Sequence, residues 1–513
     1  MANPPDPLTL QWHADPETDL AADLATLGDR YEVAFGPVRS HDSSYLDTAD
    51  WRLRSKGAIL RHEHDDTAGA LVLTTGSGEL RSELGPALVW PALVDALPEG
   101  PLRDGVAGPM WIRAIAPVFE CRTQQQEVTV HNGDGKIVVR LDVTRAEGVA
   151  PATRAFARLV VRPVLGYGTD GARVGKALLK LDRFDRASES LYDALLADAG
   201  LPIVASAPTF TVDTPADMAV ANALAGFADA ITATVDGVIA DHDSEFLHDM
   251  RVAVRRTRSM LKLVGDVLPF DISRYESDFR LLGDVTTPTR DLDVYLLELP
   301  ELAQWLTVGE PRDLDAFRDH LTATRDAERR KLVRALESKR FAQLFADWRA
   351  DLTAVTTAEA SRGDARTTAG DLVTQRIKRV YKKVVKIARA ITPESESEDV
   401  HSLRKRCKEL RYLLEFGAPV CDTETHRAAI KDLKSLQDIL GDFQDGEMQS
   451  HGLRRFAEEM LAAQAPPAAT LLAMGELSAR FGRQQREARG ALTDQLERYL
   501  GTKAHQRIEA MLP

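Results

Sequence analysis

Two kinds of hydrophobic pattern divide the chain near residue 200. Before it, apolar or alternating runs are short: ALVLTTG at 70–76, QEVTVHNGDGKIVVRLDV at 126–143 and FARLVVRPVLG at 156–166, each broken by Gly, Asp or Asn. The second run holds NGDG between two strand-like halves, a strong hairpin signal, so residues 1–197 read as a strand-rich domain. Residues 198–215, DAGLPIVASAPTFTVDTP, contain three prolines and no sustained period, which marks a linker. From 216 to about 510, long Ala, Leu and Arg stretches run at helical period, interrupted at VLPFD and TPE, and this part should be all helical. The expected class is α+β: an antiparallel sheet domain, then an all-α domain.

The helical part repeats itself. HDMRVAVRRTRSMLK at 248–262 is matched by HSLRKRCKELR at 401–411, so that His248-x2-Arg251-x3-Arg255-x2-Arg258 corresponds to His401-x2-Arg404-x3-Lys408-x2-Arg411. The likeness continues downstream, through LLGDVTTPTRDLDV after the first copy and LQDILGDFQDGEM after the second. Asp291 and Asp445 stand at nearly equal distances beyond Arg251 and Arg404. The copies occupy about 216–350 and 370–510, two units of one internal repeat.

At about 100° per residue, His248, Arg251, Arg255, Arg258 and Lys262 fall within an arc of about 80°, a stripe on one helix face. Val254, Met260, Leu261 and Val264 point away from it, toward a core, and Arg256 lies off it as a solvated residue. The second copy has His401, Arg404, Lys408 and Arg411 on one face, with Leu403, Leu410 and Leu414 opposite. A third helix, QRIKRVYKKVVKIAR, places Lys378, Arg379, Lys382, Lys386 and Arg389 opposite its apolar residues, with Arg379 and Lys386 as further candidates. Like charges at i,i+3 and i,i+4 repel, so a repeated line of them points to an anion that neutralises it. The bland alternative is pairing with acidic residues of neighbouring helices.

Composition makes this cationic surface local. The chain has 65 Lys and Arg against 78 Asp and Glu, a formal charge of −13, which excludes a generally basic nucleic-acid coat. Three scattered cysteines, Cys121, Cys407 and Cys421, fit free thiols in a reducing compartment and neither a disulfide framework nor a zinc site. Absence of a basic segment followed by an apolar run at the N-terminus, and of about 18 apolar residues in succession, points to a cytoplasmic chain that does not span a membrane. No partner ligand accompanies either His at metal spacing, and Asp291 and Asp445 are expected to orient cations by pairing with Arg. The stripes contain no aromatic residue, Tyr381 and Tyr412 lying off their faces, so cations without stacking partners suit a ligand that is all phosphate.

These motifs identify residues 216 to about 510 as similar to the CHAD domain, a conserved-histidine α-helical domain whose hallmark is the repeated His and Arg/Lys helix followed by an LG…RDLDV-like segment. The resemblance implies two pseudo-symmetric four-helix bundles facing a basic channel that binds long-chain inorganic polyphosphate. By position it assigns ligand contact to His248, Arg251, Arg255, Arg258, Lys262, His401, Arg404, Lys408 and Arg411, with Arg379 and Lys386 beside them. Location at polyphosphate granules is part of the same expectation.

Residues 1–197 resemble the CYTH domain, the triphosphate tunnel fold of adenylate cyclases and thiamine triphosphatases. YLDTADWRLRSKGAILR at 45–61 is similar to that family's Y-F-D-T-x-x-x-x-L…L-R stretch, and VVRLDV at 138–143 to a later tunnel strand. The resemblance implies metal-holding carboxylates on a first E-x-E-x-K strand and on a late strand. Thr9, Gln11 and His13 stand in the first set of places and Arg158, Val160 and Arg162 in the second. No catalytic residue is therefore assigned and no cofactor is expected. Two alternatives stay open: a Mg²⁺- or Mn²⁺-dependent triphosphatase or polyphosphatase using other ligands, and a nucleic-acid binder.

Overall fold

The computed structural model describes residues 8–12, 20–25, 27–28, 30–64, 69–76, 78–84, 88–201, 210–357, 367–463 and 465–513. His13 and most of the expected linker lie outside them. The chain forms two compact units, Met1–Ala205 and Ser206–Pro513.

Among the described residues the first unit has ten strands: β1 Leu8–Trp12, β2 Glu32–Phe35, β3 Arg39–Thr48, β4 Ile59–His64, β5 Gly69–Thr75, β6 Gly78–Leu84, β7 Ile115–His131, β8 Ile137–Ala150, β9 Phe156–Pro163 and β10 Phe184–Arg186. They make one sheet in the order β10-β1-β9-β8-β7-β3-β4-β5-β6, with β2 paired to β7 and every pair antiparallel. The NGDG turn joins β7 to β8: Asn132 Oδ1 accepts from the N–H groups of Asp134 and Lys136, and Gly135 takes φ 74°, a left-handed conformation that favours glycine. Short helices α1 Leu20–Ala25, α2 Arg52–Ser55, α3 Pro101–Met110, α4 Gly168–Leu178 and α5 Leu191–Asp198 complete the unit. In the YLDT segment the buried Asp47 carboxylate accepts from the N–H groups of Thr48, Leu53 and Arg54, at 2.7, 2.9 and 3.0 Å, and so closes the turn leading into α2. Alternation along β1, β8 and β9 buries Leu10, Trp12, Leu141, Val143, Leu159 and Val161 together on one face, against α4. Phe156 and Ala146, of opposite parity, meet Tyr192 and Leu195 of α5.

The second unit is helical: α6 Ala216–Ala240, α7 Ser244–Val264, α8 Ser273–Ala303, α9 Asp315–Leu336 and α10 Lys339–Thr357 span the first copy, and α11 Ala369–Ala388, α12 Ser397–Gly417, α13 Thr423–Ala463, α14 Ala468–Leu500 and α15 Thr502–Met511 the second. Successive helices pack in the same order in each copy, α6 to α7 to α8 to α9 and α11 to α12 to α13 to α14. α7 begins at Asp243, whose Oδ1 accepts from the N–H groups of Glu245 and Phe246. A large core runs through both copies, and a second cluster joins Tyr295 and Leu299 of α8 and Phe317 of α9 to Phe456 of α13 and Leu477 of α14. Among the described residues α6 alone is long and apolar enough to cross a membrane, and Val220, Leu224, Ile231 and Val238 of α6 are buried in that large core.

Candidate functional site

α7 and α12 are amphipathic in the way their wheels require. Met250, Val254, Met260, Leu261 and Val264 of α7 and Leu403, Cys407, Leu410 and Leu414 of α12 are buried. On the stripes, Arg255, Arg258 and Lys262 are exposed, and His248, Arg251, His401, Arg404, Lys408 and Arg411 are half-buried. The two helices pack against one another, and a cleft of about 280 Å³ brings Arg255 of α7 together with Arg404, Lys408 and Arg411 of α12.

Burial and crowding of like charge show in Lys408. Burial, and then the neighbouring guanidinium groups of Arg404 and Arg255, push its ammonium down to about 8. Arg404 has a counter-ion at the edge of contact, Asp445 of α13 at 3.6 Å. Arg411 gives Nε to Glu415 at 2.9 Å and reaches Gln437 of α13 at 3.5 Å.

Of the other expected contacts, Arg251, Lys262 and His401 have partners of their own. Arg251 turns to α8, where its Nη1 donates to Thr287 Oγ1 at 2.6 Å and Thr286 Oγ1 at 3.2 Å. Asp291 is the first opposing charge that Arg251 senses, but among the described residues the two form no ion pair; the pairing expected of both aspartates holds only for Asp445. Lys262 bonds Glu409 of α12 at 2.7 Å. His401 shares a 2.5 Å hydrogen bond between Nδ1 and Gln444 Oε1, and burial with the nearby Arg290 lowers the proton affinity of His248. Arg258 lies over Gly283, where a Cβ would stand 2.6 Å from its Nη1. Arg379 and Lys386 are exposed on α11 and do not line the cleft.

Two sequence readings are corrected. Arg256 is not a bystander, because it lines the cleft and pairs with Glu415 at 3.2 Å, sharing that carboxylate with Arg411. Tyr412, expected off the face, also lines the cleft. A flat wheel misses both because the cleft floor lies between two helices and collects residues from the flank of each stripe.

The RDLDV segment is a clamp. Arg290 donates to the Ser244 carbonyl at 3.0 Å and pairs with Glu245, fixing the first turn of α7. Asp293, buried, takes Arg325 Nε of α9 at 2.6 Å, and Arg325 also grips Asp241 at the end of α6. Thr286, Thr287, Arg290 and Asp293 all fall within the repeated LLGDVTTPTRDLDV segment, but which groups each of them holds carries no local signal.

On the sheet, β1 and β9 pair with Thr9 opposite Val160 and Gln11 opposite Arg158. Directly opposed residues of an antiparallel pair share a face, so the two expected signature strands do meet. A hydroxyl, an amide, an alkyl group and a buried guanidinium form no donor set for a divalent cation, and the last repels one. The residues present do not fit the metal that the tunnel resemblance implies.

Residues 222–454 match the CHAD domain family, a shorter span than the 216–510 expected. An uncharacterized protein of Mycobacterium tuberculosis is 27% identical over 451 residues, covering 80% of this chain and 81% of its own. The crystal structure of a CHAD domain from Ricinus communis is 26% identical, with TM-score 0.49, over 57% of this chain and 95% of that one. For the sheet unit, an adenylyl cyclase-named protein from Hippeastrum with a dominant triphosphatase activity is 13% identical, with TM-score 0.27, over 38% of this chain and 97% of its own.

Proposed function

We propose that this chain, which carries a CHAD domain over residues 222–454, binds inorganic polyphosphate in the cleft between α7 and α12. The observation that carries this reading is the convergence of Arg255, Arg404, Lys408 and Arg411 on one cleft, with the proton of Lys408 destabilised by burial and by its cationic neighbours. Such a cluster gains most from a ligand of dense negative charge and no bulk, and a phosphate chain offers both.

The test is a titration of long-chain polyphosphate against the intact chain and against Arg255→Ala/Arg404→Ala/Lys408→Ala. Tight binding that falls at least a hundredfold in the triple variant is expected; equal binding by both proteins overturns the reading.

Tyr412 at the cleft favours examining a second reading, single-stranded nucleic acid, since an aromatic ring beside cations can stack a base. Competition at one ionic strength separates the two. Polyphosphate is expected to displace labelled oligonucleotide, and Tyr412→Ala to leave polyphosphate affinity within twofold.

A further inference from the structure

The register that aligns Asp291 with Asp445 carries Leu296, Leu299, Pro300 and Ala303 of α8 onto Ser450, Leu453, Arg454 and Ala457 of α13. Both sets line a trough, the first of about 660 Å³ against α9 and the second of about 600 Å³ against α14. The repeat therefore builds the same recess twice. Ser450 lies about 20 Å along α13 from Gln437, which reaches the cleft, so the second trough is a separate place.

The two recesses differ in how their charges are settled. In the first, Arg312 and Arg318 pair with Glu310 and Asp315. In the second, Arg454, Arg483 and Arg486 are exposed, and among the described residues none of the three has an ion pair or a hydrogen bond. Glu458 and Glu487, one helical turn on from Arg454 and Arg483, pair with neither. Much of the remaining lining is apolar, with Leu453, Leu471, Met474 and Ala479, and Leu472 beside it in the chain is 75% exposed. Gly475 keeps the α14 wall low. A Cβ there would meet no atom within 4 Å, so packing within the chain does not call for glycine at a position where it weakens the helix.

From Leu471 to Arg486 the wall runs about 22 Å, roughly four helical turns. A recess of that length, apolar inside and cationic at its exposed positions, matches one helix whose apolar stripe is flanked by carboxylates. A bare phosphate chain leaves the apolar lining unused, and a flat bilayer does not follow a recess between two helices.

We propose that the α13–α14 trough docks an acidic amphipathic helix of a protein partner. The apolar stripe of that helix lies on Leu453, Leu471 and Met474, and its carboxylates pair with Arg454, Arg483 and Arg486.

The test uses the full chain and two synthetic peptides of about 18 residues that share a leucine stripe at i, i+4, i+7 and i+11, one with Glu on both flanks and the other with Lys. Fluorescence anisotropy is expected to show one equivalent of the Glu peptide bound and the Lys peptide at least tenfold weaker. Gly475→Leu, which fills the recess from an open helix position, is expected to weaken the Glu peptide tenfold or more. Arg454→Glu/Arg483→Glu/Arg486→Glu is expected to reverse the preference between the peptides. No binding of the Glu peptide, equal binding of both, or binding unchanged by either variant overturns the proposal. Should Gly475→Leu lower the melting temperature, the arginine variant alone decides. Two other occupants are read alongside. Capture by phosphatidylserine vesicles, or concentration-dependent dimerisation, that the arginine variant abolishes while the Glu peptide fails to bind gives the trough to a membrane or to a second copy and overturns the proposal.

Discussion

At the scale of single residues, Lys408 couples the cleft to pH. Its ammonium is pushed down to about 8 in the folded chain, and an anion seated beside it favours the protonated form. Below pH 8 the proton is already in place; above it, binding must draw the proton back. Polyphosphate affinity is therefore expected to fall as pH rises from 8 toward the ordinary lysine value of 10.5, by up to about tenfold per pH unit from this group. Lys408→Arg should bind and lose that slope, which titrations at pH 7, 8 and 9 would show. Asp293 acts on stability instead. Asp293→Ala removes the buried partner of Arg325 and is expected to cost about 3 kcal/mol, read as a lowered denaturant midpoint of the helical unit.

At the scale of elements, close approach of α6 and α7 depends on Gly237. A Cβ there would stand 2.3 Å from the Phe246 ring, which is rigid and sits in the first turn of α7. Gly237→Ala is expected to destabilise by about 1–3 kcal/mol in thermal or denaturant unfolding, with Phe246→Leu recovering part of the loss. Much of this element structure was legible in the sequence. The NGDG hairpin, the two buried helix faces and the repeated stripes follow from periods of 2 and 3.6 and from turn chemistry, which are local. The cleft was only half legible. Arg255, Arg404, Lys408 and Arg411 could be grouped by face, but the hydroxyls that hold Arg251, the glutamates shared across α7 and α12, and Tyr412 on the floor arise from how two helices meet. Arg379 and Lys386 show the opposite failure: a basic face can be real and still stand away from the cleft.

At the scale of the whole molecule, cations are concentrated against an acidic background of −13. The surrounding field disfavours a bulky polyanion spread over the surface, while the cleft attracts one that enters it. Duplex DNA is accordingly expected to bind at least tenfold more weakly than polyphosphate at equal phosphate concentration and 150 mM salt, as measured by competition. One detail of the cleft adds a condition. Glu415 already lies between Arg256 and Arg411, so the site holds a carboxylate of its own as an internal counter-ion. An incoming anion must outcompete a group that is tethered and present at high local concentration. A solitary phosphate would exchange one pairing for another, whereas a chain would bring many charges on one backbone, so on the proposed polyphosphate reading Glu415 is expected to act as a valence filter that sets the smallest ligand the cleft keeps.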